Sequence, residues 1–287
     1  MTTTIFGQIP FSEDQFSVFN GKASPSSFNE IIEAAAGADV LFFGEYHDDA
    51  VAHAIQAEAF RRIVERYSPK RKVILSLEMF ERDVQIVVDE YLASLITENH
   101  FLLSSRPWGN YKTDYRPLVE LAKEKGLQVI AANAPRRYVN MVSRGGRVKL
   151  DGLSRDAKAF LAPLPYAEAS AEYSRRFKEL MGSSAEASMG LDNILSSQSL
   201  WDATMAYWIS QGLERNKGAL VIHLNGGFHT AYRLGTVEHL LNYSPRSKAV
   251  VITMRYEENF KNFDKAKHAD LGDFVVLTDA SVPRSKR

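Results

Sequence analysis

The chain has 287 residues, of which 45% are hydrophobic and 24% charged, as in ordinary soluble globular proteins. Lysine plus arginine and aspartate plus glutamate each total 35, so the formal net charge is zero and the chain as a whole does not attract nucleic acid or an anionic membrane. The sequence contains no cysteine, which excludes disulfide bonds, thiolate metal ligands, cysteine nucleophiles and a lipid-modified N-terminal cysteine.

The first residues of the chain do not resemble a targeting signal. They contain no basic stretch followed by an apolar one, and no apolar run approaches the roughly 18 residues of a membrane-spanning helix. We expect no signal peptide, no transmembrane segment and no nucleic-acid partner. The expected location is cytoplasmic, or periplasmic if a leader was removed.

Strand-like and helix-like patterns alternate along most of the chain. Apolar runs rich in β-branched and aromatic residues predict strands at 40–43, 73–77, 127–132, 218–225, 249–254 and 274–277. Amphipathic stretches predict helices at 28–36, 50–67, 82–96, 114–125 and 230–241. This alternation is typical of an α/β fold in which helices flank a mainly parallel sheet.

The segment from about 135 to 217 shows helical patterns and no strand pattern. It contains too much helix for a single crossover between two parallel strands. We therefore predict a single α/β domain over 1–287, with a helical cap subdomain at about 135–217 inserted over the carboxyl-terminal edge of the sheet. Caps of this kind commonly supply lid and specificity residues.

Several predicted strands end in polar residues, and two of them end in the pattern Gly-x-x-His. The carboxyl ends of parallel strands form the edge at which open α/β folds bind ligands. We therefore expect these polar side chains to meet in one site. The residues concerned are Glu45 and His47 after the first strand, Glu78 after the second, Asn133 after the third and His229 after the fourth.

Two imidazoles and two carboxylates at one edge allow two kinds of chemistry. They are suitable ligands for a divalent transition metal such as Zn, Mn, Fe or Co. They are equally suitable for general acid and base catalysis. A single histidine after a strand is usually structural, so the coincidence of four such residues is what indicates a site. The candidate catalytic residues and metal ligands are Glu45, His47, Glu78 and His229.

Arg136 and Arg137 follow the third strand end directly, a position that suits recognition of carboxylate or phosphate. The alternative is that one of them neutralises buried Glu45 or Glu78. In the predicted cap, helical spacing directs Gln198 and Asp202 toward the same edge, the alternative being that they make structural hydrogen bonds. The motifs of serine hydrolases, P-loop NTPases, dinucleotide-binding proteins and zincins are absent, so those functions lose support.

Five short motifs occur in consistent order over about 40 to 280. Together they resemble the ChaN-like haem-binding uptake proteins of the Tiki/TraB superfamily. The motifs are Gly-Glu-Tyr-His-Asp at 44–48, Ser-Leu-Glu-Met-Phe at 76–80, Asn-Ala-Pro-Arg-Arg at 133–137, Gln-Ser-Leu-Trp-Asp-Ala-Thr-Met-Ala at 198–206 and Asn-Gly-Gly-Phe-His at 225–229.

The resemblance implies a haem-binding protein that acts in haem or iron uptake or handling. It implies a homodimer holding two stacked haems, with each iron bound by a tyrosine and the propionates bound by basic groups of the partner chain. A tyrosine oxygen is an accepted haem ligand. Tyr166 and Tyr173 are candidate iron ligands from their place in the cap, and Arg136 and Arg137 are candidate cofactor-binding cations.

The wider superfamily implies an alternative function. There the resemblance is to metal-dependent hydrolases that use the paired Gly-x-x-His histidines and a glutamate, which correspond here to His47, His229 and Glu78. The chain departs from the lipoprotein members by lacking the anchoring cysteine, so the resemblance does not carry membrane attachment over to it.

Overall fold

In a computed structural model of the chain, residues 9–182 and 188–286 are described, except for the side chains of residues 188 and 189. Among these residues the strands form one sheet in the order β2-β1-β8-β7-β3-β6-β4-β5. The strands are β1 (Phe16–Asn20), β2 (Pro25–Ser26), β3 (Val40–Glu45), β4 (Val73–Glu81), β5 (Gln128–Asn133), β6 (Leu220–Gly226), β7 (Ala249–Glu257) and β8 (Phe274–Asp279).

Helices fill most of the connections between the strands, as the alternating pattern predicted. They are α1 (Phe28–Ala34), α2 (Ala50–Tyr67), α3 (Gln85–Leu92), α4 (Glu98–Ser105), α5 (Arg116–Glu124), α6 (Arg136–Gly145), α7 (Arg155–Lys158), α8 (Ala171–Met181), α9 (Ser188–Arg215), α10 (Thr236–Tyr243) and α11 (Lys265–His268). The predicted α/β fold with a helix-flanked sheet is confirmed.

The pairing of β3, β6 and β4 places the predicted site residues side by side. β3 and β6 are parallel, and Glu45 pairs with Gly226 at their carboxyl ends. β4 is parallel to the other side of β6, but this pairing ends at Leu77, and the β4–β5 register shifts after the same residue. Glu78 therefore leaves the regular ladder close to the end of β6.

The sheet is covered on both faces because successive residues of each buried strand point to opposite sides. On one face, Leu41 and Phe43 of β3 belong to a core shared with helices α1 to α5. On the other face, Phe42 packs in a core with Met205 and Ile209 of α9. Burial on both faces explains why these strands are continuous apolar runs.

The structure differs from the predicted elements at three places. The N-terminal strands β1 and β2 were not predicted, and β1 pairs antiparallel with β8 at the edge of the parallel sheet. The helix predicted at 82–96 is shorter, and a second helix, α4, follows it. The helix predicted at 230–241 begins only at Thr236, because short 3₁₀ turns precede it and Gly235 adopts a positive φ of 54° at its N-cap.

Between β5 and β6 the described elements are helical, from α6 to α9. The last of these, α9, serves two regions. Its C-terminal half covers the sheet through residues such as Met205, whereas its N-terminal half extends toward the carboxyl ends of the strands. Part of the expected cap, residues 183–187, lies outside the described residues.

Within the part of the chain that the structure describes, no helix combines the length and the apolar character needed to cross a bilayer.

Candidate functional site

Glu45 and His47 contact each other at the end of β3. Nδ1 of His47 lies 3.0 Å from Oε1 of Glu45, which is buried, whereas the His47 side chain is 23% exposed. An ionised carboxylate can only accept a hydrogen bond, so His47 donates through Nδ1. This contact orients the imidazole and turns its Nε2 away from Glu45.

The Glu45 carboxylate is itself fixed by the surrounding core. The Tyr115 hydroxyl donates to its Oε1 at 2.5 Å, and the Gln56 amide donates to its Oε2 at 2.6 Å. Burial on its own would raise the pKa of Glu45, but His53, His47 and Tyr115 outweigh it and hold that pKa below its ordinary value. Glu45 is therefore an ionised anchor for His47.

His229 is held in the same way by a different carboxylate. Its Nδ1 lies 2.8 Å from Oδ1 of Asp202, and the Thr236 hydroxyl donates to the same oxygen at 2.7 Å. Burial on its own would lower the pKa of His229, but the Asp202 and Glu78 carboxylates raise it to about 9. At neutral pH His229 is therefore an imidazolium.

Glu78 lies between the two histidines. Its Oε2 accepts a hydrogen bond from the Gly226 N–H at 2.6 Å, and its Oε1 lies 3.7 Å from Nε2 of His229. An ideal Cβ placed on Gly226 would lie 2.8 Å from Nε2 of His47 and 3.7 Å from Oε2 of Glu78. Glycine at this position therefore leaves the space in which the His47 ring lies.

The structure thus brings the four predicted site residues to one edge of the sheet, together with Asp202 of α9. We refer to this group as the rim cluster. It comprises Glu45, His47, Glu78, Asp202 and His229.

The divalent metal at the rim cluster remains a prediction. Among residues 9–182 and 188–286, no group of three or more histidine, aspartate or glutamate side chains is placed to hold a metal ion. His47 and His229 each direct Nδ1 to a carboxylate, and Glu78 lies between them. Two imidazoles that are each oriented through Nδ1 by a carboxylate suit proton transfer. The same orientation is also usual for histidines that bind a metal through Nε2.

Two tryptophans border the rim cluster. The Trp108 ring lies edge-on to His47, with ring centres 4.7 Å apart, and the Trp201 ring lies edge-on to His229 at 6.2 Å. The Arg136 guanidinium is 5.7 Å from the centre of the Trp108 ring, and its side chain is 65% exposed. A cation is therefore available beside the His47 end of the cluster.

The two arginines do not neutralise Glu45 or Glu78, so that alternative is wrong. Arg137 donates to Asp83 at 2.5 Å, and Nε of Arg136 lies 3.7 Å from Glu81. Because Arg137 is paired with a neighbouring surface carboxylate, Arg136 is the better placed of the two to bind an incoming anion.

Tyr166 is buried in a hydrophobic cluster with Tyr138, Leu161 and Leu200. Its hydroxyl donates to the backbone oxygen of Ser196 at 2.9 Å, and the Arg147 guanidinium lies 4.0 Å from the centre of its ring. The same residue lines a cavity of about 580 Å³ together with Arg147 and Lys158. To ligate a metal, the hydroxyl would have to give up its bond to Ser196.

Tyr173 is also buried, but it lies beside the rim cluster. Its ring packs edge-on against Phe228, with centres 4.9 Å apart. The Tyr173 ring and the Asp202 carboxylate both approach Gly235, where an ideal Cβ would lie 2.8 Å from Cε2 of Tyr173 and 3.0 Å from Oδ2 of Asp202. The two candidate tyrosines therefore belong to different parts of the cap.

One exposed tyrosine at the rim was not singled out by the sequence pattern. Tyr46 is 42% exposed, and the guanidinium carbons of Arg255 and Arg284 lie 5.6 and 5.8 Å from the centre of its ring. The signal for Tyr46 was its position between Glu45 and His47. No local pattern indicated the two arginines, which come from β7 and from the C-terminal segment.

The geometry of the rim cluster can be set beside known proteins. The model of the protein family described as "Haem-binding uptake, Tiki superfamily, ChaN" matches residues 31–240, which is more than half of the chain. The chain belongs to this family. All members of the rim cluster lie within the matched range, and the resemblance to ChaN-like proteins of the Tiki superfamily is confirmed. A search of curated proteins gave no match.

This ChaN-like chain also resembles solved structures. A structure of ChaN from Campylobacter jejuni, described as showing cofacial haem binding, matches with a TM-score of 0.74 and 20% identity over 94% of this chain and 100% of that chain. The match shows a shared fold. A mutant of the erythromycin esterase EreC matches at 12% identity with a TM-score of 0.47, covering 92% of this chain and 83% of that one. A Bacillus cereus protein matches at 12% identity with a TM-score of 0.48, covering 93% of this chain and 95% of that one.

Proposed function

We propose that this protein binds haem and acts as a homodimer in haem or iron uptake or handling. The observation that carries the proposal is the family match over residues 31–240, because the family is described as haem-binding. The shared fold with ChaN of Campylobacter jejuni, whose structure is described as showing cofacial haem binding, supports it.

A haem iron needs a donor that it can reach, and the propionates need cations. Tyr166 and Tyr173 are buried, whereas Tyr46 is 42% exposed. Arg255 and Arg284 lie beside the Tyr46 ring. We therefore place the haem at the rim surface, with Tyr46 as the oxygen donor and the neighbouring arginines as propionate partners. Bound haem would supply a redox-active iron at that surface.

Titration of the purified protein with haemin tests this proposal. We expect a saturable Soret shift in the wild type, and affinity reduced by about tenfold or more in Tyr46→Phe, which keeps the ring and removes the donor. Tyr166→Phe and Tyr173→Phe are the matched controls and should bind haemin like the wild type. Loss of the shift in Tyr166→Phe alone would move the haem to the cap cavity. Absence of a saturable shift in the wild type would overturn haem binding.

Sedimentation velocity tests the homodimer. If two chains hold their haems face to face, haemin should shift the sedimentation coefficient of the wild type to that of a dimer, or tighten a dimer that already exists. Tyr46→Phe should respond more weakly, since it loses the donor. A haem-loaded protein that sediments as a monomer would contradict the dimer while leaving haem binding intact.

A second candidate function, hydrolysis of an ester or amide, is favoured by the paired orientation of the two histidines. His47 and His229 are each fixed through Nδ1 by a carboxylate, on either side of Glu78. His47 Nε2 would accept a proton from water as the water oxygen bonds to the substrate carbonyl carbon. The His229 imidazolium would give its Nε2 proton to the leaving oxygen or nitrogen as the bond to it breaks.

Turnover of p-nitrophenyl acetate, followed by the absorbance of the released p-nitrophenolate, tests this second candidate in protein free of haem. We expect measurable turnover that falls about a hundredfold in His47→Asn and in His229→Asn. His100→Asn, which changes an exposed histidine far from the rim cluster, is the control. Turnover that is equal in all four proteins would be background hydrolysis and would remove the candidate.

A further inference from the structure

Two buried hydrogen-bond donors beside the rim cluster lack an acceptor among the described residues. They are the indole N–H of Trp201 and the hydroxyl of Tyr173. A buried donor without a partner loses its hydrogen bonds to water and gains nothing in return. Native proteins retain few such groups, and those that remain commonly mark the place of a water, an ion or a ligand.

The position of Trp201 connects this unpaired donor to His229. Trp201 precedes Asp202 on α9, and its ring lies edge-on to the His229 ring at 6.2 Å, with an interplanar angle of 89°. An indole N–H is a donor only, so no change of protonation can turn it into an acceptor. Whatever satisfies it must bring an acceptor atom.

Tyr173 approaches the same place from α8. Its ring and the Asp202 carboxylate both lie within 3.0 Å of the ideal Cβ position of Gly235. Burial, the charge of Asp202 and the closeness of the Asp202 carboxylate to the hydroxyl raise the pKa of Tyr173 well above its ordinary value, so the hydroxyl keeps its proton. The hydroxyl nevertheless meets no acceptor with hydrogen-bond geometry among the described residues.

Comparable donors elsewhere in the cap are paired. The indole N–H of Trp208, seven positions along the same helix, donates to the backbone oxygen of Phe160 at 3.2 Å. The hydroxyl of Tyr166 donates to the backbone oxygen of Ser196 at 2.9 Å. Trp201 and Tyr173 therefore differ from these two donors of the same residue types.

The charges around these donors limit what they can bind. Asp202 and Glu78 are carboxylates close to His229, and the charge of Glu238 also acts on Tyr173. A ligand anion would add a further negative charge at short range, and like charges repel strongly in a buried site. A neutral oxygen accepts hydrogen bonds without that repulsion.

We propose that Trp201 and Tyr173 form a donor subsite that holds a neutral oxygen of a ligand, such as an amide or ester carbonyl, next to His229. This subsite is separate from haem binding at the rim surface, and it extends the site to a second class of ligand. It does not depend on turnover, so it can be tested by binding alone.

The indole N–H resonances of the ¹⁵N-labelled protein provide the binding test. Trp201→Phe assigns the Trp201 resonance, and if that variant does not fold, Trp108→Phe and Trp208→Phe assign it by elimination. Acetamide is the neutral carbonyl probe, and acetate is the anionic control. We expect acetamide to shift the Trp201 resonance saturably while the Trp208 resonance stays in place.

A Trp201 resonance that does not respond to acetamide would overturn the proposal. A response to acetate without one to acetamide would overturn the neutral-oxygen assignment. Haem binding is measured separately by the wild-type haemin titration. A failure of acetamide binding is therefore distinguishable from a failure of haem binding.

Urea unfolding of the ligand-free protein separates a binding role from a structural one. Trp208→Phe and Tyr166→Phe each delete a donor that is paired, so their midpoints should fall. Trp201→Phe and Tyr173→Phe delete donors that are unpaired, so their midpoints should stay level or rise. A fall in Trp201→Phe as large as that in Trp208→Phe would show that the indole N–H is already satisfied within the fold, which contradicts the subsite.

Discussion

Nδ1 of His229 and Oδ1 of Asp202 lie 2.8 Å apart, although 26 residues separate them in the sequence. Both are buried, and the Thr236 hydroxyl donates to the same aspartate oxygen. This contact ties the cap helix α9 to the turn after β6. It also sets the charge of His229, because a buried imidazole without a carboxylate would be neutral.

Replacing Asp202 by asparagine should neutralise His229 at neutral pH. Without the aspartate charge, burial dominates, and we expect the pKa of His229 to fall from about 9 to its ordinary value of 6.5 or below. A ¹³C or ¹⁵N NMR titration of the histidines measures this directly. Asp192→Asn, which changes an exposed aspartate on the same helix, should leave the titration unaltered. A His229 pKa that stays near 9 in Asp202→Asn would assign the charge to another group.

The same pair makes stability depend on alkaline pH. Since the pKa of His229 is raised in the folded state, its contribution is complete below about 6.5 and is lost as the pH rises through 9. The contribution is about 3 kcal/mol at most. The free energy of unfolding, measured in urea between pH 6 and 10, should therefore fall more at alkaline pH for the wild type than for Asp202→Asn. If the free energy of unfolding changed with pH equally in both proteins, the protonation of His229 would not be coupled to folding through Asp202.

His223 should produce the opposite dependence in acid. It is fully buried in β6, its Nδ1 lies 2.9 Å from the Ser76 hydroxyl, and burial lowers its pKa to about 3. Because the folded pKa is depressed, the contribution of His223 is complete above about 6.5 and is lost as the pH falls toward 3. The free energy of unfolding in urea should fall more steeply from pH 7 to pH 4 in the wild type than in His223→Asn. His100→Asn is the surface control.

Gly226→Ala should disturb His47 without a general loss of the fold. The added methyl group would lie 2.8 Å from Nε2 and 2.9 Å from Cε1 of His47, so the ring must move. We expect a destabilisation of about 1–3 kcal/mol and a shifted His47 resonance. Gly37→Ala is the matched control, because its methyl group would meet nothing within 4 Å. Equal stabilities of the two variants would show that His47 has room to move.

Gln85 should protect the outer edge of the sheet at β5. β5 is the last strand of the sheet, and the Gln85 amide donates to the oxygen of Val129 and accepts from the N–H of Ala131, both at 2.8 Å. These bonds resemble the pairing that a neighbouring strand would provide. In Gln85→Leu the free energy of unfolding should fall by about 1–3 kcal/mol, as measured by urea unfolding. The variant should also aggregate on heating, as measured by light scattering. Gln211→Leu is the control, because Gln211 is a half-buried helix residue whose amide donates to Glu214 of the same helix.

The sequence was sufficient for those features that depend on local order. Apolar runs of the right length predicted the parallel strands, and the polar residues at their ends, such as Glu45 and His229, were correctly expected at one edge. The reason is that residues at the carboxyl ends of neighbouring parallel strands must meet, whatever the details of packing. The short edge strand β1 and the interruption of the helix predicted at 82–96 depend on contacts distant in sequence and were not predicted.

The partners of the site residues were decided by the tertiary structure. Tyr115 and Gln56 reach Glu45 from the π-helical turn before α5 and from α2, and Arg255 reaches Tyr46 from β7. Which helix residue meets which strand end depends on helix rotation and sheet register, which no local pattern encodes. The sequence therefore determined which residues arrive at the rim, whereas packing decided their protonation, their orientation and the two donors left beside His229.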